Sequence, residues 1–235
     1  MRLLLASFIA AIAIAAIPAT AVTNDAFSSF TGTNTGGAFT YGSFNATGSV
    51  FTPFSDAAGC AALISNVICT SNGDLPAAFK STSGAHQSGT VIVPGNALIL
   101  HPGPLAGQAA AVLFNPRVDR VYGVTLSAFV ADTNPSGVRI LLIAPAANFI
   151  FPLATLTAAN PTFTTTASSF LVEAGVPFGI AVDFNGSYYN DSTGINFAVT
   201  PFALSVPEPA AWALMIAGFA MVGVAARRRR GVATV

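Results

Sequence analysis

Near its C-terminal end the chain carries VDFNGSYYNDSTG, residues 182–194, the stretch richest in groups able to do chemistry. Asp183, Asn185 and Asp191 offer hard oxygen ligands, and Tyr188 and Tyr189 offer two aromatic faces. Ca²⁺ takes about six to eight oxygens, and side chains plus backbone carbonyls of one loop can supply some of them. A sugar site calls for the same mixture of planar rings and polar groups. A plainer reading also fits, in which NGS and NDSTG are turns and both tyrosines pack at the rim of a sheet. Asp183, Asn185 and Asp191 are therefore the candidate metal ligands, Ca²⁺ is the ion they would suit, and no other cofactor is expected.

Elsewhere the chemistry is thin. The two histidines are His86 and His101, and His101 in LILHPGP ends a strand at a rigid turn, where a structural role is expected. The chain has no G-x-S-x-G elbow, no H-E-x-x-H and no phosphate-binding loop. A glycosidase pair could be assembled from Asp132, Glu173, Asp183 or Asp191. Loop carboxylates are common in any β domain, however, so an enzyme is not expected and no catalytic residue is assigned. Cys60 and Cys69, nine apart in CAALISNVIC, are expected to form a disulfide if the chain is exported. Closing so short a loop stabilises by roughly 2–3 kcal/mol. The alternatives are two buried thiols, or a metal pair that lacks a nearby histidine to complete it.

Both ends differ from the middle. Residues 1–21 carry Arg2, then an uncharged run from Leu3 to Ile17, then Pro18 and the small pair Ala19 and Ala21. That is a signal-peptide pattern, with cleavage by signal peptidase expected after Ala21. From Val22 to Val206 only Lys80, Arg117, Arg120 and Arg139 stand against eight acidic residues, so this portion is acidic. An acidic surface repels polyanions, which excludes nucleic acid as a partner. Near the other end, 210–226 is free of charge and proline, and Arg227, Arg228, Arg229 and Arg230 follow it. As a helix this run is about 25 Å long, the short limit of a bilayer span, with Trp212 at one interface and the arginines on the cytoplasmic side. The expectation is export across the inner membrane and a transmembrane helix over 210–226. The chain would be anchored transiently or permanently before reaching the outer surface or matrix. Pro207, Glu208 and Pro209 would form an extended, accessible linker.

Between the ends the pattern is β. Residues 22–84 alternate Gly, Thr, Ser and Phe in pieces such as GAFTYGSF and GSVFTPF, which fit short strands better than helix. After Gly84, strand-length runs recur at 88–94, 97–102, 107–115, 121–131, 137–144, 149–156, 162–172, 177–185 and 194–204, separated by Asn, Gly, Pro or Asp. Regular breaks without helical patterns predict an all-β, antiparallel β-sandwich between an N-terminal signal peptide helix and the C-terminal transmembrane helix. The expected organisation is 1–21 signal peptide, 22–84 a β segment of the same domain, 85–205 the sandwich core, 206–230 the C-terminal signal and 231–235 a short tail.

PEPAAW at 207–212, the apolar run containing MIAGF and VGVAA, and RRRR at 227–230 together resemble a PEP-CTERM sorting signal, in its variant with Trp and Ala after the PEP. The resemblance implies processing by an exosortase-like membrane cysteine transpeptidase of a Gram-negative bacterium. Pro207, Glu208, Pro209, Trp212 and Arg227–Arg230 would then be recognition residues of a substrate. GTVIVPGNALILHPGP, GQAAAVLFN and YYNDSTGINFAVT resemble the jelly-roll ectodomains found ahead of that signal. The functional expectation is a cell-surface or extracellular-matrix protein with a non-enzymatic adhesion or structural domain. The alternative is a carbohydrate-binding or carbohydrate-active module, with calcium dependence open and surface polysaccharide as partner.

Overall fold

The computed structural model describes residues 22–34, 36–47, 49–55, 60, 64–202 and 215–222. The expected signal peptide, Pro207, Glu208, Pro209, Trp212 and Arg227–Arg230 lie outside the described residues. Strands run through β1 Asn24–Asp25, β2 Phe39–Asn45, β3 Val50–Pro53, β4 Val67–Ser71, β5 Ala77–Ser81, β6 His86–Ser88 and β7 Val91–Val93. They continue with β8 Leu98–His101, β9 Ala109–Phe114, β10 Arg120–Val130, β11 Val138–Ala144, β12 Phe149–Leu156, β13 Thr162–Val172, β14 Phe178–Phe184 and β15 Thr193–Pro201. A single-turn helix, α1 Ala26–Ser29, is capped by the Asp25 carboxylate accepting from Ser28 N–H at 2.8 Å.

The last eight strands have jelly-roll connectivity. One sheet carries β13-β10-β15-β8 and the other β12-β11-β14-β9, so successive strands alternate between sheets except at the β11–β12 hairpin. The earlier strands widen both sheets. β5 and β4 add beside β8, β2 and β3 add beside β9, and β1 pairs with β15. These pairings are antiparallel.

Alternation along the strands explains the core. Val124, Leu126 and Ala128 from β10 and Ile195, Phe197 and Val199 from β15 point inward, against Val112, Phe114, Ile140, Ile180 and Val182 of the facing sheet. Each such side chain stabilises by about 1.5–3 kcal/mol when fully buried. Edge-to-face rings bind the layers: Phe197 lies 5.7 Å from Phe39 and 6.5 Å from Phe178. Two apolar clusters lie outside this core. One gathers Phe44, Ala109, Ala111, Leu113, Leu141, Ile143 and Ala181 on the outer side of the β12-to-β3 sheet. The other packs Phe79, Ile99 and Ala131 around the Cys60–Cys69 disulfide.

The N-terminal segment is pinned by polar contacts. Buried Tyr41 donates its hydroxyl to the Ala26 carbonyl at 2.8 Å, and Asn34 bonds Tyr41 N–H, Tyr41 C=O and Phe54 C=O. The Lys80 ammonium donates to the Phe27 carbonyl at 3.0 Å and sits 5.0 Å from the centre of the Phe27 ring.

The expected transmembrane helix is corrected. The sandwich is a compact unit of residues 21–202. Outside that unit, the described helical residues are 215–222, with Ile216, Phe219 and Met221 exposed. No helix among the described residues is long and apolar enough to cross a membrane. The uncharged composition of 210–226 therefore does not by itself establish a span, and the anchored localisation built on it is corrected with it.

Candidate functional site

Three connections meet at one end of the sandwich: the approach to β7, the β10–β11 loop and the β14–β15 loop. Thr90 donates its hydroxyl to the Asn190 side-chain carbonyl at 3.2 Å, and Val91 bridges Asp132. The β14–β15 loop closes over Ser136. The Ser136 hydroxyl lies 2.9 Å from Ser187 C=O, from Tyr189 C=O and from Asp191 Oδ1, three acceptors for one proton. Asp191 Oδ1 also accepts the backbone N–H groups of Ser136, at 3.1 Å, and Gly137, at 2.9 Å. The loop is thereby held in one shape by a carboxylate only 1% exposed.

That loop presents the two tyrosines. Their ring centres are 4.2 Å apart with planes tilted by 31°, and Tyr189 is 65% exposed. A hydrogen bond with Tyr189 is the main cause that pushes the Tyr188 phenol above its ordinary pKa, which keeps that hydroxyl protonated at neutral pH. The sequence pattern permits a rim-packed pair; the structure turns one ring to solvent.

The three candidate metal ligands are not gathered as a set. Asp183 is the register partner of Arg139 and forms an ion pair with its guanidinium. Asn185 is exposed and its backbone N–H donates to Gly137 C=O at 2.9 Å. Asp191 is committed through Oδ1 to the β10–β11 loop. Among the described residues no group of three or more His, Cys, Asp or Glu side chains is placed to hold a metal ion. The Asp183–Asp191 glycosidase pairing fails for the same reason, since the two carboxylates face different partners.

Asp132 is the residue that sequence reasoning undervalued. It is 6% exposed, and neither of its carboxylate oxygens has a hydrogen-bond partner among the described residues. The Asp191 carboxyl is pushed above the usual carboxylate range by burial first; the Asp132 charge adds to this, and the hydrogen bonds from Ser136 and Gly137 oppose it. Burial lowers the pKa of His101 and keeps its ring neutral, against the raising effects of Pro102 C=O, 2.7 Å from Nδ1, and of the Asp132 charge. His86 bonds Ser65 C=O at 2.9 Å and faces Ser81, a structural arrangement.

A second concavity of about 710 Å³ opens between β11, β12 and β13. It is lined by Leu142, Ala144, Phe149, Phe170, Leu171 and Val176, with the stacked, exposed Phe149 and Phe151 beside it. Its lining is mainly apolar, with Glu173 as the one charged side chain, short of the several convergent polar groups that orient a sugar.

Comparison with known proteins adds two findings. Residues 205–230 match the PEP-CTERM protein-sorting motif. Among solved structures, a variant of carbohydrate-binding module CBM29-2 aligns at 21% identity and a TM-score of 0.31, covering 51% of this chain and 81% of its own. A family 29 carbohydrate-binding module aligns at 17% identity and 0.29, covering 69% and 88%. The Podospora anserina GH26-CBM35 β-(1,4)-mannanase aligns at 14% and 0.27, covering 46% and 24%. At such TM-scores the likeness does not bear on what this chain binds. No curated protein matches.

Proposed function

We propose that this jelly-roll protein, bearing a PEP-CTERM sorting motif, is an exported, non-enzymatic glycan-binding protein. The observation that carries the reading is the close Tyr188–Tyr189 pair, with Tyr189 turned to solvent, on a loop locked by Ser136 and Asp191. Aromatic rings held in a fixed attitude stack on the apolar faces of sugar rings, and preorganisation lowers the entropy lost on binding. Around them, Asn185, Ser187 and Asn190 supply the short polar groups that hydroxyl recognition needs. The motif over 205–230 supports delivery to the cell surface, with an exosortase-type enzyme as processing partner.

The test is affinity electrophoresis and array screening of the purified chain against bacterial and plant polysaccharides. Binding of a defined glycan, weakened about tenfold by Tyr189→Ala, is expected, since one aromatic contact contributes roughly 1 kcal/mol beyond area burial. Retention of full affinity in a Tyr188→Ala/Tyr189→Ala double variant would remove the tyrosine loop from recognition. Mass spectrometry of surface and secreted fractions tests the sorting arm; a chain extending to Val235 in every fraction would sink the processing step.

A further inference from the structure

We propose that Asp132 and Asp191 hold a divalent cation, Ca²⁺ by the chemistry of their oxygens, at the loop end of the sandwich. The assignment is independent of what the tyrosines bind. The β10–β15 register pairs Val130 with Thr193, and the next step is secured by Ala131 N–H donating to Ser192 C=O at 2.8 Å. Asp132 and Asp191 are the residues that follow directly beyond this bond, Asp132 leaving β15 to bridge Val91, and the Asp132 charge acts on the Asp191 carboxyl.

Two carboxylates so placed are an unstable arrangement in themselves. Both oxygens of Asp132 and Oδ2 of Asp191 are buried without a hydrogen-bond partner among the described residues. Asp132 is 6% exposed and Asp191 1%. Leaving buried charged oxygens unsatisfied costs several kcal/mol, and like charges at short range add to it. The obvious protein counter-ions are engaged elsewhere or uncharged: Arg139 is paired with Asp183, and burial keeps the His101 ring neutral. The surroundings are rich in oxygen and poor in protons, since Ser136 offers one hydroxyl proton to three acceptors and Ser192 Oγ is also unpartnered. Hard carboxylate and carbonyl oxygens without nitrogen or sulfur suit Ca²⁺, which tolerates an irregular shell and completes it with water.

The experiment is calorimetric titration of the EDTA-treated, dialysed full chain with CaCl₂, with thermal melting in EDTA and in Ca²⁺. One saturable site is expected, with Tm raised by about 5–10 °C at about a hundredfold excess over Kd. Asp132→Asn should abolish both effects, while Asp183→Asn, which alters a carboxylate already paired with Arg139, should leave them intact. A wild-type chain with native near-ultraviolet circular dichroism but no saturable Ca²⁺ binding would overturn the proposal. So would an Asp132→Asn chain more stable than wild type in both EDTA and Ca²⁺, because that result assigns a shared proton to the pair. Because wild-type binding is read directly, the proposal stays testable even if a variant fails to fold.

Discussion

Arg139 on β11 and Asp183 on β14 are register partners whose side chains close an ion pair, with the guanidinium half exposed and the carboxylate buried. The two halves of this pair are not equivalent. Arg139→Met strands a buried carboxylate and should cost about 1–2 kcal/mol, whereas Asp183→Asn leaves an arginine that water can solvate and should cost less than about 1 kcal/mol. Urea denaturation of both variants checks the order; equal losses would mean that the pair is worth no more than surface charges.

Gly179 on β14 is required by a close approach of strands. A Cβ added there would lie 1.9 Å from Val112 C=O and 2.8 Å from Leu113 Cα, both backbone atoms of β9. Gly179→Ala should therefore destabilise by about 3 kcal/mol or more, or prevent folding. Gly175 has φ +76° with open space around it, so Gly175→Ala should cost only about 1–2 kcal/mol. Soluble yield and Tm of the two variants separate steric exclusion from backbone strain.

Reduction of Cys60–Cys69 should lower Tm by about 5–10 °C, from the roughly 2–3 kcal/mol of a short closed loop. The readout is melting with and without reductant, against a Cys60→Ser/Cys69→Ser chain. The reduced wild type and the double variant should coincide, and both should retain the β-sheet circular dichroism spectrum. An unchanged Tm would show that the outer cluster around Phe79 and Ile99 holds without the bridge.

Two buried groups give pH dependences of opposite sign. His101 is more basic unfolded than folded, so its contribution is present at neutral pH and lost as pH falls through about 6.5. Asp191 is less acidic folded than unfolded, so without a divalent cation stability falls as pH rises from about 4 upward. Asp132 faces both groups, and the Ser136 and Gly137 hydrogen bonds partly restrain the Asp191 shift. Denaturation across pH 4–8 in EDTA, for wild type against His101→Gln and Asp191→Asn, isolates each contribution, bounded near 1.4 kcal/mol per pH unit for one proton. Difference curves of the same sign would contradict these assignments.

Much of the sandwich was legible because strand alternation and turn residues are local signals. The run VYGVTLSAFVA became β10, GVRILLIA became β11 and PFGIAVDFN became β14, each within a residue or two. The stretch CAALISNVIC shows no strand alternation, yet its end begins strand β4 at Val67, whose pairing with β5 is a tertiary contact. The site was legible only in part. Tyr188 and Tyr189 stand out as adjacent rings in a turn, but the spacing of 182–194 says nothing about which carboxylate Arg139 neutralises. The bond from Ala131 N–H to Ser192 C=O, which carries Asp132 and Asp191 to the same end of the sandwich, joins segments distant in sequence, which no local pattern encodes. The membrane span failed from the opposite cause: composition was clear, but the continuous helix it needed is not present among the described residues.

Lys80 is the sole lysine of the chain, and its amine is occupied by the Phe27 carbonyl and ring. Apart from the N-terminal amine, an amine-selective acylating reagent therefore has one target, shielded whenever residues 24–30 are docked. The rate of that single labelling event becomes a clock for detachment of the N-terminal segment in the purified chain.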